Sequence, residues 1–481
     1  MSQQVHGNYI DGAWTADGDE FQSINPSDTS DVVGRFTGGS KADCEAAIAA
    51  ARKGFPVWAA TPLEQRKAAL DFIGNELLER SEEIGRIVAR EEGKPLAEGI
   101  GEVARSAQFF QYYGAEVLRQ MGEIANSVRP GVEVDVMREP LGVIGVITPW
   151  NFPIAVAAWK IAPALAFGNS VVLKPAELVS VSAWVLAEII SRSGLPDGAF
   201  NLVMGSGSVI GEAMAKSADI DGISFTGSVS IGRRIARNAV DNMTRVQLEM
   251  GSKNALVVLN DADMDTAVQC AINGAFFGTG QKCTASSRLI VEAGIHDEFV
   301  ERLLAATDAL VVGNALDPAT QIGPVVDERQ LQQNLKYIEI GTNEGATLAT
   351  GGNRLALETD GYYMRPAVFT DTSNSMQVNR EEIFGPITSV IKVADYDEAL
   401  ATSNDSEFGL SAGIITTSLK HATHFKRHAE SGCVMVNLPT AGTDYHVPFG
   451  GRKSSSYGPR EQGQYAKEFY TTVKTSYVLA T

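Results

Sequence analysis

Between residues 142 and 240, short runs of β-branched and apolar residues alternate with segments long enough to form helices. The runs are Gly142 to Thr148, Ser170 to Leu173, Phe200 to Met204 and Ile220 to Phe225, and the helix-length segments are 180–193, 207–217 and 229–240. Short buried strands alternating with helices favour a parallel sheet with right-handed crossovers. Binding groups in such sheets lie at the carboxyl ends of the strands, and each run here ends in a polar or glycine-rich motif.

A second series of strands and helices begins at Asn254 to Leu259, places a helix over 263–277 ahead of Cys283, and continues to about residue 440. This pattern predicts a second α/β domain, with a cleft between the two domains. The first 130 residues read as mostly helical, with a capping box at Ser40 to Asp43. The β-prone tail, 469–478, is expected to add a strand to a sheet, and a partner subunit's sheet is one candidate.

Composition excludes several classes of partner. The net charge of −18 argues against nucleic acid and against anionic membrane surfaces. The most apolar stretch, 154–167, is interrupted by Lys160 and Pro163, and the N-terminus is polar, so we expect a cytoplasmic protein without a signal peptide or membrane span. Four cysteines without C-x-x-C spacing predict neither a disulfide framework nor a zinc site. His421, His424 and His428 are interpreted as a solvated helix face, so no metal is expected.

Two glycine-flanked polar motifs suggest covalent chemistry on a carbonyl carbon. Cys283 follows Gly280-Gln281-Lys282, and Glu249 lies in Leu248-Glu249-Met250-Gly251. A thiolate is the reactive form of cysteine, and Lys282 beside the thiol is expected to favour it. A carboxylate that meets the thiol in space is a candidate base. The alternative for a free cysteine is a small buried apolar residue, which we expect for Cys270 and Cys433.

Three further motifs are weaker when taken alone. Gly205 to Gly211 follows a strand and opens a helix, as in a pyrophosphate site, but a plain tight turn fits about as well. Lys174 and Glu177 fit the hydroxyls of a ribose or an exposed ion pair. Asn151, between two prolines, fits an oxyanion donor or an asparagine that satisfies a turn.

Taken together, these motifs resemble the aldehyde dehydrogenase superfamily over nearly the whole chain. The matching stretches are Pro149 to Pro153, Lys174 to Glu177, Gly205 to Gly211, Phe225 to Ser228, Leu248 to Gly251, Gly280 to Cys283, Glu382 to Pro386 and Pro448 to Gly451. The resemblance implies an α/β fold with a Rossmann-like NAD(P)-binding domain (1–120 and 141–251), an α/β catalytic domain (252–441) and a small β oligomerisation flap (121–140 and 462–481). It also implies a homodimer or homotetramer.

The resemblance assigns roles to individual residues. Cys283 is the implied nucleophile, Asn151 with the Cys283 backbone N–H the oxyanion hole, and Glu249 the base that activates water. The implied cofactor is NAD, with NADP use tolerated. Its implied binding residues are Ile147, Thr148, Pro149, Trp150, Lys174, Glu177, Gly207, Gly211, Phe225, Thr226, Gly227, Ser228, Gln330, Glu382 and Phe384. The implied substrate tunnel contains Phe152, Val156, Trp159 and Phe449.

The implied reaction oxidises a small aldehyde to its acid through a thiohemiacetal and a thioester on Cys283. Succinate-semialdehyde-type relatives tend to carry arginine where this chain has Trp159, which weakens a dicarboxylic substrate. Residues 281–288 and 453–463 resemble the α-ketoglutarate-semialdehyde branch, so a polar semialdehyde or sugar-derived aldehyde is favoured. Two alternatives are a dehydrogenase that transfers the acyl group to coenzyme A, disfavoured by Glu249, and a non-catalytic member of the superfamily, disfavoured by Cys283.

Overall fold

The computed structural model of the chain describes residues 4–119 and 121–479. Residues 1–3, 120, 480 and 481 lie outside the described residues; they belong to the polar N-terminus, the first cofactor-domain segment and the tail of the sequence predictions.

The helices are α1 Lys41–Ala59, α2 Leu63–Glu79, α3 Ser81–Glu92, α4 Leu96–Glu116, α5 Ala155–Ala166, α6 Ser180–Ser191, α7 Glu212–Lys216, α8 Val229–Asp241, α9 Met264–Ala275, α10 His296–Asp308, α11 Glu328–Asn343, α12 Gln377–Arg380, α13 Tyr396–Asn404, α14 Leu419–His428 and α15 Lys467–Tyr470. Short 3₁₀ helices cover Glu177–Val179, Phe277–Gly280 and Gly463–Ala466, and a π-helical turn covers Gly207–Gly211. The predicted capping box begins α1, where the Ser40 side chain accepts from the Asp43 backbone and the Asp43 side chain accepts from Ser40.

The strands are β1 Val5–His6, β2 Asn8–Ile10, β3 Ala13–Thr15, β4 Glu20–Asn25, β5 Asp28–Thr37, β6 Gly122–Asn126, β7 Val132–Pro140, β8 Val143–Ile147, β9 Ser170–Lys174, β10 Phe200–Leu202, β11 Gly222–Thr226, β12 Arg245–Glu249, β13 Asn254–Val258, β14 Ser286–Glu292, β15 Thr347–Thr350, β16 Ala367–Thr372, β17 Ile387–Val393, β18 Phe408–Gly409, β19 Ser411–Ile415, β20 Cys433–Val436, β21 Arg452–Lys453, β22 Ser456–Tyr457 and β23 Thr471–Leu479.

An eight-stranded sheet, ordered β22-β12-β11-β8-β9-β10-β2-β3, contains the first predicted series. Its five central strands are parallel, and the edge strands β22, β2 and β3 are antiparallel. Alternate residues of β8 enter opposite cores: Ile144 and Val146 pack with α5 and α6, whereas Val143 packs with α1 and α7. Helices on both faces explain why β8 reads as a continuous apolar run.

A seven-stranded sheet, ordered β15-β16-β17-β14-β13-β19-β20, contains the second series. All its strand pairs are parallel except β15 with β16. The predicted helix ahead of Cys283 is α9, and the thiol lies in the loop between α9 and β14. Two smaller sheets, β1-β5-β4 and β18-β21, complete the strand pairing outside the third large unit described next.

The β-prone tail forms β23, which pairs along its whole length with β7, and β7 pairs with β6. We call this three-stranded unit the tail sheet. The prediction that the tail adds a strand to a sheet is confirmed, and the sheet that it joins belongs to its own chain.

The expectation of a mostly helical start is wrong for residues 5–37, which form β1 to β5, while α1 to α4 follow at Lys41–Glu116. The signal for β2 and β3 was Asp11-Gly12, a two-residue turn in which both residues have positive φ (48° and 81°). Such a turn between β-prone triplets is typical of a hairpin. Within the described residues, no helix is both long enough and apolar enough to cross a membrane.

Candidate active site

A cavity of about 680 Å³ lies where the ends of strands from the two large sheets meet. Its wall contains most of the predicted site residues: Pro149, Trp150, Asn151, Phe152, Val156, Trp159, Thr226, Gly227, Ser228, Glu249, Cys283, Gln330, Glu382, Phe384 and Phe449. The carboxyl ends of the parallel strands β8, β11 and β12 supply residues 149–151, 226–228 and 249 of this wall, while the loop before β14 supplies the thiol. The fold thus brings together residues separated by up to 300 positions in the chain.

The backbone around Cys283 is tightly held. Its carbonyl oxygen accepts from the Ser252 hydroxyl and from Asn254 Nδ2 at 2.8 Å, so β13 fixes the loop. Just before it, Gly280 has φ of +64°, and a Cβ there would lie 2.2 Å from the Gly385 carbonyl oxygen. Only glycine allows the thiol loop to approach the 382–385 loop this closely. The half-buried sulfur consequently lines the cavity on a rigid support.

Burial raises the pKa of the Cys283 thiol, and the nearby carboxyl groups of Glu382 and Glu249 raise it further. Lys282 attracts the thiolate, as predicted, but this attraction does not lower the pKa of the thiol, because burial and the two carboxyl groups outweigh it. Lys282 Nζ donates to the Asn273 carbonyl at 2.9 Å, and burial lowers the pKa of Lys282 itself to about 8. The thiol is therefore the resting form, and a positive charge brought into the cavity would favour the thiolate.

Asn151 is buried beside the thiol loop. Its Nδ2 donates one hydrogen bond to the Gln281 carbonyl at 2.9 Å, which orients the amide and leaves its second N–H available. Its backbone carbonyl accepts from Lys94 Nζ at 2.7 Å. An amide oriented in this way in a partly dry cavity can donate to an oxygen that becomes negative during reaction.

Glu249 ends β12 and is almost fully buried. Burial and the neighbouring Glu461 raise its pKa well above the ordinary value, while the Ser456 hydroxyl, which donates at 2.6 Å to Oε2, opposes this rise. Behind it, Lys160 Nζ contacts the Glu461 carboxylate and donates to Ser224 Oγ at 3.0 Å. A carboxyl whose proton is held this firmly matches a general base that works near or above neutral pH.

Glu382 and Phe384 lie on a loop secured from two sides. Glu382 Oε1 accepts from the Ser252 N–H at 2.9 Å, and burial raises the pKa of Glu382 to about 7. Gln330 Nε2 donates to the carbonyls of Ile383 and Phe384, both at 3.0 Å, so Gln330 supports the loop as well as lining the cavity. The Phe384 ring meets Trp150 edge-on, with centroids 5.3 Å apart.

The other predicted cofactor residues do not line the cavity but lie at or just beyond the carboxyl ends of strands of the eight-stranded sheet. Ile147, Lys174 and Phe225 are register partners at the carboxyl ends of β8, β9 and β11, and Thr148 N–H donates to the Lys174 carbonyl at 3.1 Å. Glu177 is exposed just beyond β9. The side chains of Phe225 and Ile147 pack in the core beneath these strand ends.

Two glycines leave space beside Lys174. A Cβ at Gly207 would lie 3.6 Å from Lys174 Nζ, and a Cβ at Gly211 would meet only Ile147, at 4.0 Å. The missing side chains therefore leave open space beside a buried ammonium group whose pKa is lowered by burial. A buried cation beside exposed backbone suits hydroxyl and phosphate oxygens.

Sequence reasoning missed one wall of the cavity, which α4 supplies. Glu98, Gly101, Glu102, Arg105 and Phe109 all line it, at the i, i+3, i+4, i+7 spacing of a single helix face. The signal available in the sequence was that one face of α4 combines charged residues with apolar ones. Ser456, the partner of Glu249, was also missed, because nothing in the sequence pairs it with a residue two hundred positions earlier.

Two mainly parallel sheets and a shared cavity with a thiol and a buried carboxyl group define an α/β protein suited to cysteine chemistry. A family model described as "Aldehyde dehydrogenase family" matches residues 14–476. The chain belongs to the aldehyde dehydrogenase family.

Relatives and solved structures agree with that membership. The chain is 40% identical to an alpha-ketoglutaric semialdehyde dehydrogenase of Bacillus subtilis over 99% of this chain and 98% of the relative. It is 39% identical to a 2,5-dioxopentanoate dehydrogenase of Saccharolobus solfataricus over 96% of each. A crystal structure of betaine aldehyde dehydrogenase from Staphylococcus aureus in complex with NAD+ superposes with a TM-score of 0.96 at 33% identity, covering 98% of this chain and 95% of that one. The predicted family and fold are confirmed.

Proposed function

We propose that this protein oxidises a semialdehyde carrying a carboxylate, such as α-ketoglutaric semialdehyde, to the dicarboxylic acid with NAD+. The observation that carries the proposal is that Cys283, Asn151 and Glu249 line one cavity. The similarity to two enzymes named for the same five-carbon semialdehyde narrows the substrate class. A sugar-derived aldehyde, favoured together with semialdehydes on sequence, is the broader alternative.

Each of the three central residues has a role in this proposal. The Cys283 thiolate attacks the aldehyde carbon, and the resulting alkoxide accepts hydrogen bonds from Asn151 Nδ2 and the Cys283 backbone N–H. Loss of one such donor typically costs about 100- to 1000-fold in rate. After oxidation to the thioester, Glu249 removes a proton from water, which attacks the acyl carbon and releases the acid and the thiol.

Bound NAD+ would accept hydride from the alkoxide carbon. Lys174 and Glu177 would hold the adenosine ribose, and Gly207 and Gly211 would leave room for the pyrophosphate. Thr226, Gly227, Ser228, Glu382 and Phe384 would contact the nicotinamide half. The exposed Glu177 carboxylate would repel a 2′-phosphate, which favours NAD+ over NADP+.

Two other assignments have less support. Transfer of the acyl group to coenzyme A has no need of a base for water, yet Glu249 lies in the cavity with its own hydrogen-bond partner. A non-catalytic role has no need of an accessible thiol, yet Cys283 lines the cavity.

We also propose the domain division 1–120 and 141–251, 252–441, and 121–140 with 462–481. The eight-stranded, seven-stranded and tail sheets support it, because the main strands of each fall within one of these units. The tail sheet would join subunits into a homodimer or homotetramer, since it exposes Ile124, Val473, Tyr477 and Leu479.

The test is NADH formation by the purified protein with α-ketoglutaric semialdehyde, a sugar-derived aldehyde and betaine aldehyde, with NAD+ or NADP+ and with or without coenzyme A. We expect the highest kcat/KM with the carboxylated semialdehyde and NAD+, independent of coenzyme A. Cys283→Ala is expected to abolish turnover and retain NAD+ affinity, measured by fluorescence quenching. Cys270→Ala, whose thiol packs in the core of the seven-stranded sheet, is the control. Turnover by Cys283→Ala would contradict the proposal.

A further inference from the structure

Arg105 presents an unpaired guanidinium group to the cavity. It lies on α4, is half-buried and lines the same cavity as Cys283. Within residues 4–119 and 121–479, no hydrogen bond or ion pair engages it. The exposed Asp444 acts on it only from beyond ion-pair distance. A guanidinium group has five donors, and leaving them unused in a half-buried position is costly unless a ligand engages them.

Aromatic rings fix where this charge lies. The Arg105 guanidinium carbon is 5.6 Å from the centroid of the Phe109 ring and 5.4 Å from that of Tyr445. Contacts with ring faces restrain the long side chain without consuming its N–H donors. The guanidinium group is thereby preorganised for a planar acceptor with two oxygens.

A second unused donor also neighbours Phe109. Trp159 lines the cavity, its ring centroid is 5.9 Å from that of Phe109, and its buried Nε1–H has no hydrogen-bond partner. Two unsatisfied donors next to one ring of the same cavity call for a ligand that offers several acceptor lone pairs. A carboxylate does so, and it also matches the charge of Arg105.

The remaining charges of this wall are already occupied. Glu102 binds Lys94 Nζ at 2.6 Å and accepts from two backbone N–H groups of 154 and 155, and Glu98 accepts from the Gly278 N–H at 3.1 Å. Neither carboxylate pairs with Arg105. Around it the wall is apolar, with Val156, Trp159 and Phe449. A ligand with an uncharged carbon skeleton and a negatively charged end would fit the apolar wall and the Arg105 guanidinium group.

We infer that Arg105, assisted by the Nε1–H of Trp159, binds the distal carboxylate of the substrate while its aldehyde carbon lies at Cys283. This inference rests on the proposed function and names the residues that select its substrate. It also explains how a dicarboxylic semialdehyde is accepted although position 159 carries tryptophan instead of arginine: α4 supplies the cation. The same cation disfavours betaine aldehyde, whose far end is a positive charge.

The test compares 4-oxobutanoate with butanal, which has the same four-carbon chain without the carboxylate. For Arg105→Met, we expect the ratio of their kcat/KM values to fall roughly 10- to 100-fold, mainly through KM for 4-oxobutanoate. Arg105→Lys keeps the charge but loses the planar fork, so it should fall between Arg105→Met and the native protein. Arg86→Met, which removes an exposed arginine of α3, should keep the native ratio.

An equilibrium measurement separates recognition from a general disturbance of the cavity. Succinate should protect Cys283 of the native protein against alkylation by iodoacetamide, and protection should weaken by a similar factor in Arg105→Met. A native preference for 4-oxobutanoate that persists in Arg105→Met would overturn the assignment of Arg105 and leave the proposed function intact. A native protein with no preference for carboxylated aldehydes would overturn both.

Discussion

Glu249 illustrates how burial sets the chemistry of a single side chain. Its carboxyl is nearly inaccessible to solvent, and its pKa is raised by burial and by Glu461. A base must be deprotonated to act, so the fraction of active Glu249 grows as pH rises through its pKa. We therefore expect thioester hydrolysis to accelerate with pH, although the ordinary pKa of glutamate would leave it independent of pH near neutrality.

Ser456→Ala tests this account of Glu249. The hydroxyl donates to Oε2 and lowers the pKa of the carboxyl, so its loss should shift the pH profile of hydrolysis to higher pH. At pH 7 we expect hydrolysis to slow by roughly 10-fold, with the initial burst of NADH retained. Rapid-mixing kinetics from pH 6 to 9 measures both phases.

Ser454→Ala is the matched control, because Ser454 lies two positions away and its hydroxyl accepts from Arg233. An unchanged pH profile in Ser456→Ala would show that this hydrogen bond does not tune the base.

At the scale of single residues, the sequence was most informative about side chains in short motifs and least informative about their electrostatics. The positions of Glu249 and Asn151 in one cavity follow from motifs at strand ends, as expected for parallel sheets, whereas Cys283 joins them from the loop before β14. Adjacency in sequence did not predict how strongly Lys282 acts on the thiol: its ammonium group donates to a helix carbonyl, and its attraction for the thiolate is outweighed. Burial is the largest influence on the pKa of the thiol, and no sequence motif encodes burial.

At the scale of elements, a buried ion pair joins the turn between α3 and α4 to α4 itself, next to the cavity. Lys94, in the turn between them, binds Glu102 Oε2 at 2.6 Å and the Asn151 carbonyl at 2.7 Å, and its Nζ lies 4.0 Å from the centroid of the Phe152 ring. Burial alone would lower the pKa of Lys94, but Glu102 and Glu92 outweigh burial and raise it. One cation therefore couples the position of α4 to the orientation of Asn151.

Lys94→Met should weaken both stability and catalysis. Removing one partner of a buried ion pair typically costs about 3–5 kcal/mol, and we expect the lower end because Glu102 Oε1 keeps its two backbone donors. Urea unfolding measures the loss, and kcat should fall because the Asn151 carbonyl loses its anchor. Lys41→Met removes an exposed pair with Glu45 and should change stability by less than about 1 kcal/mol. Equal losses of stability and of kcat in the two variants would contradict the coupling of α4 to Asn151 through Lys94.

The strands that the sequence predicted well are those buried on both faces, such as β8, β9 and β13, because a short continuous apolar run is typical of a buried strand. Of the missed elements, β1 to β3 are only two or three residues long, and β4 and β5 contain many polar residues, which dilute the apolar pattern. The cavity face of α4 was missed because a helix reads as amphipathic whether its polar side meets water or a site.

At the scale of the whole molecule, the tail sheet is the part least supported by its own chain. It has three strands, with β6 and β23 at its edges, and Ile124 on β6 is 83% exposed. An open sheet with exposed apolar residues is a common pairing surface. This arrangement supports the proposed role of the tail sheet in assembly.

Ile124→Lys combined with Val473→Lys should lower the oligomeric state. Two buried ammonium groups would be unpaired in an interface formed by this sheet, so the mass in solution should shift toward the monomer. Light scattering after size-exclusion chromatography measures the mass. Val240→Lys places the same charge at an exposed site on α8 and should keep the native mass. A monomeric native protein, or a double variant of native mass, would contradict the role of the tail sheet.

The contact between Gly280 and the Gly385 carbonyl has a practical consequence for redesign. With a Cβ of residue 280 placed 2.2 Å from that oxygen, the two loops have no slack between them. Anyone who exchanges the 382–385 loop for a homologous one must therefore transplant the thiol loop with it. The two segments form a single module for engineering, although a hundred residues separate them along the chain.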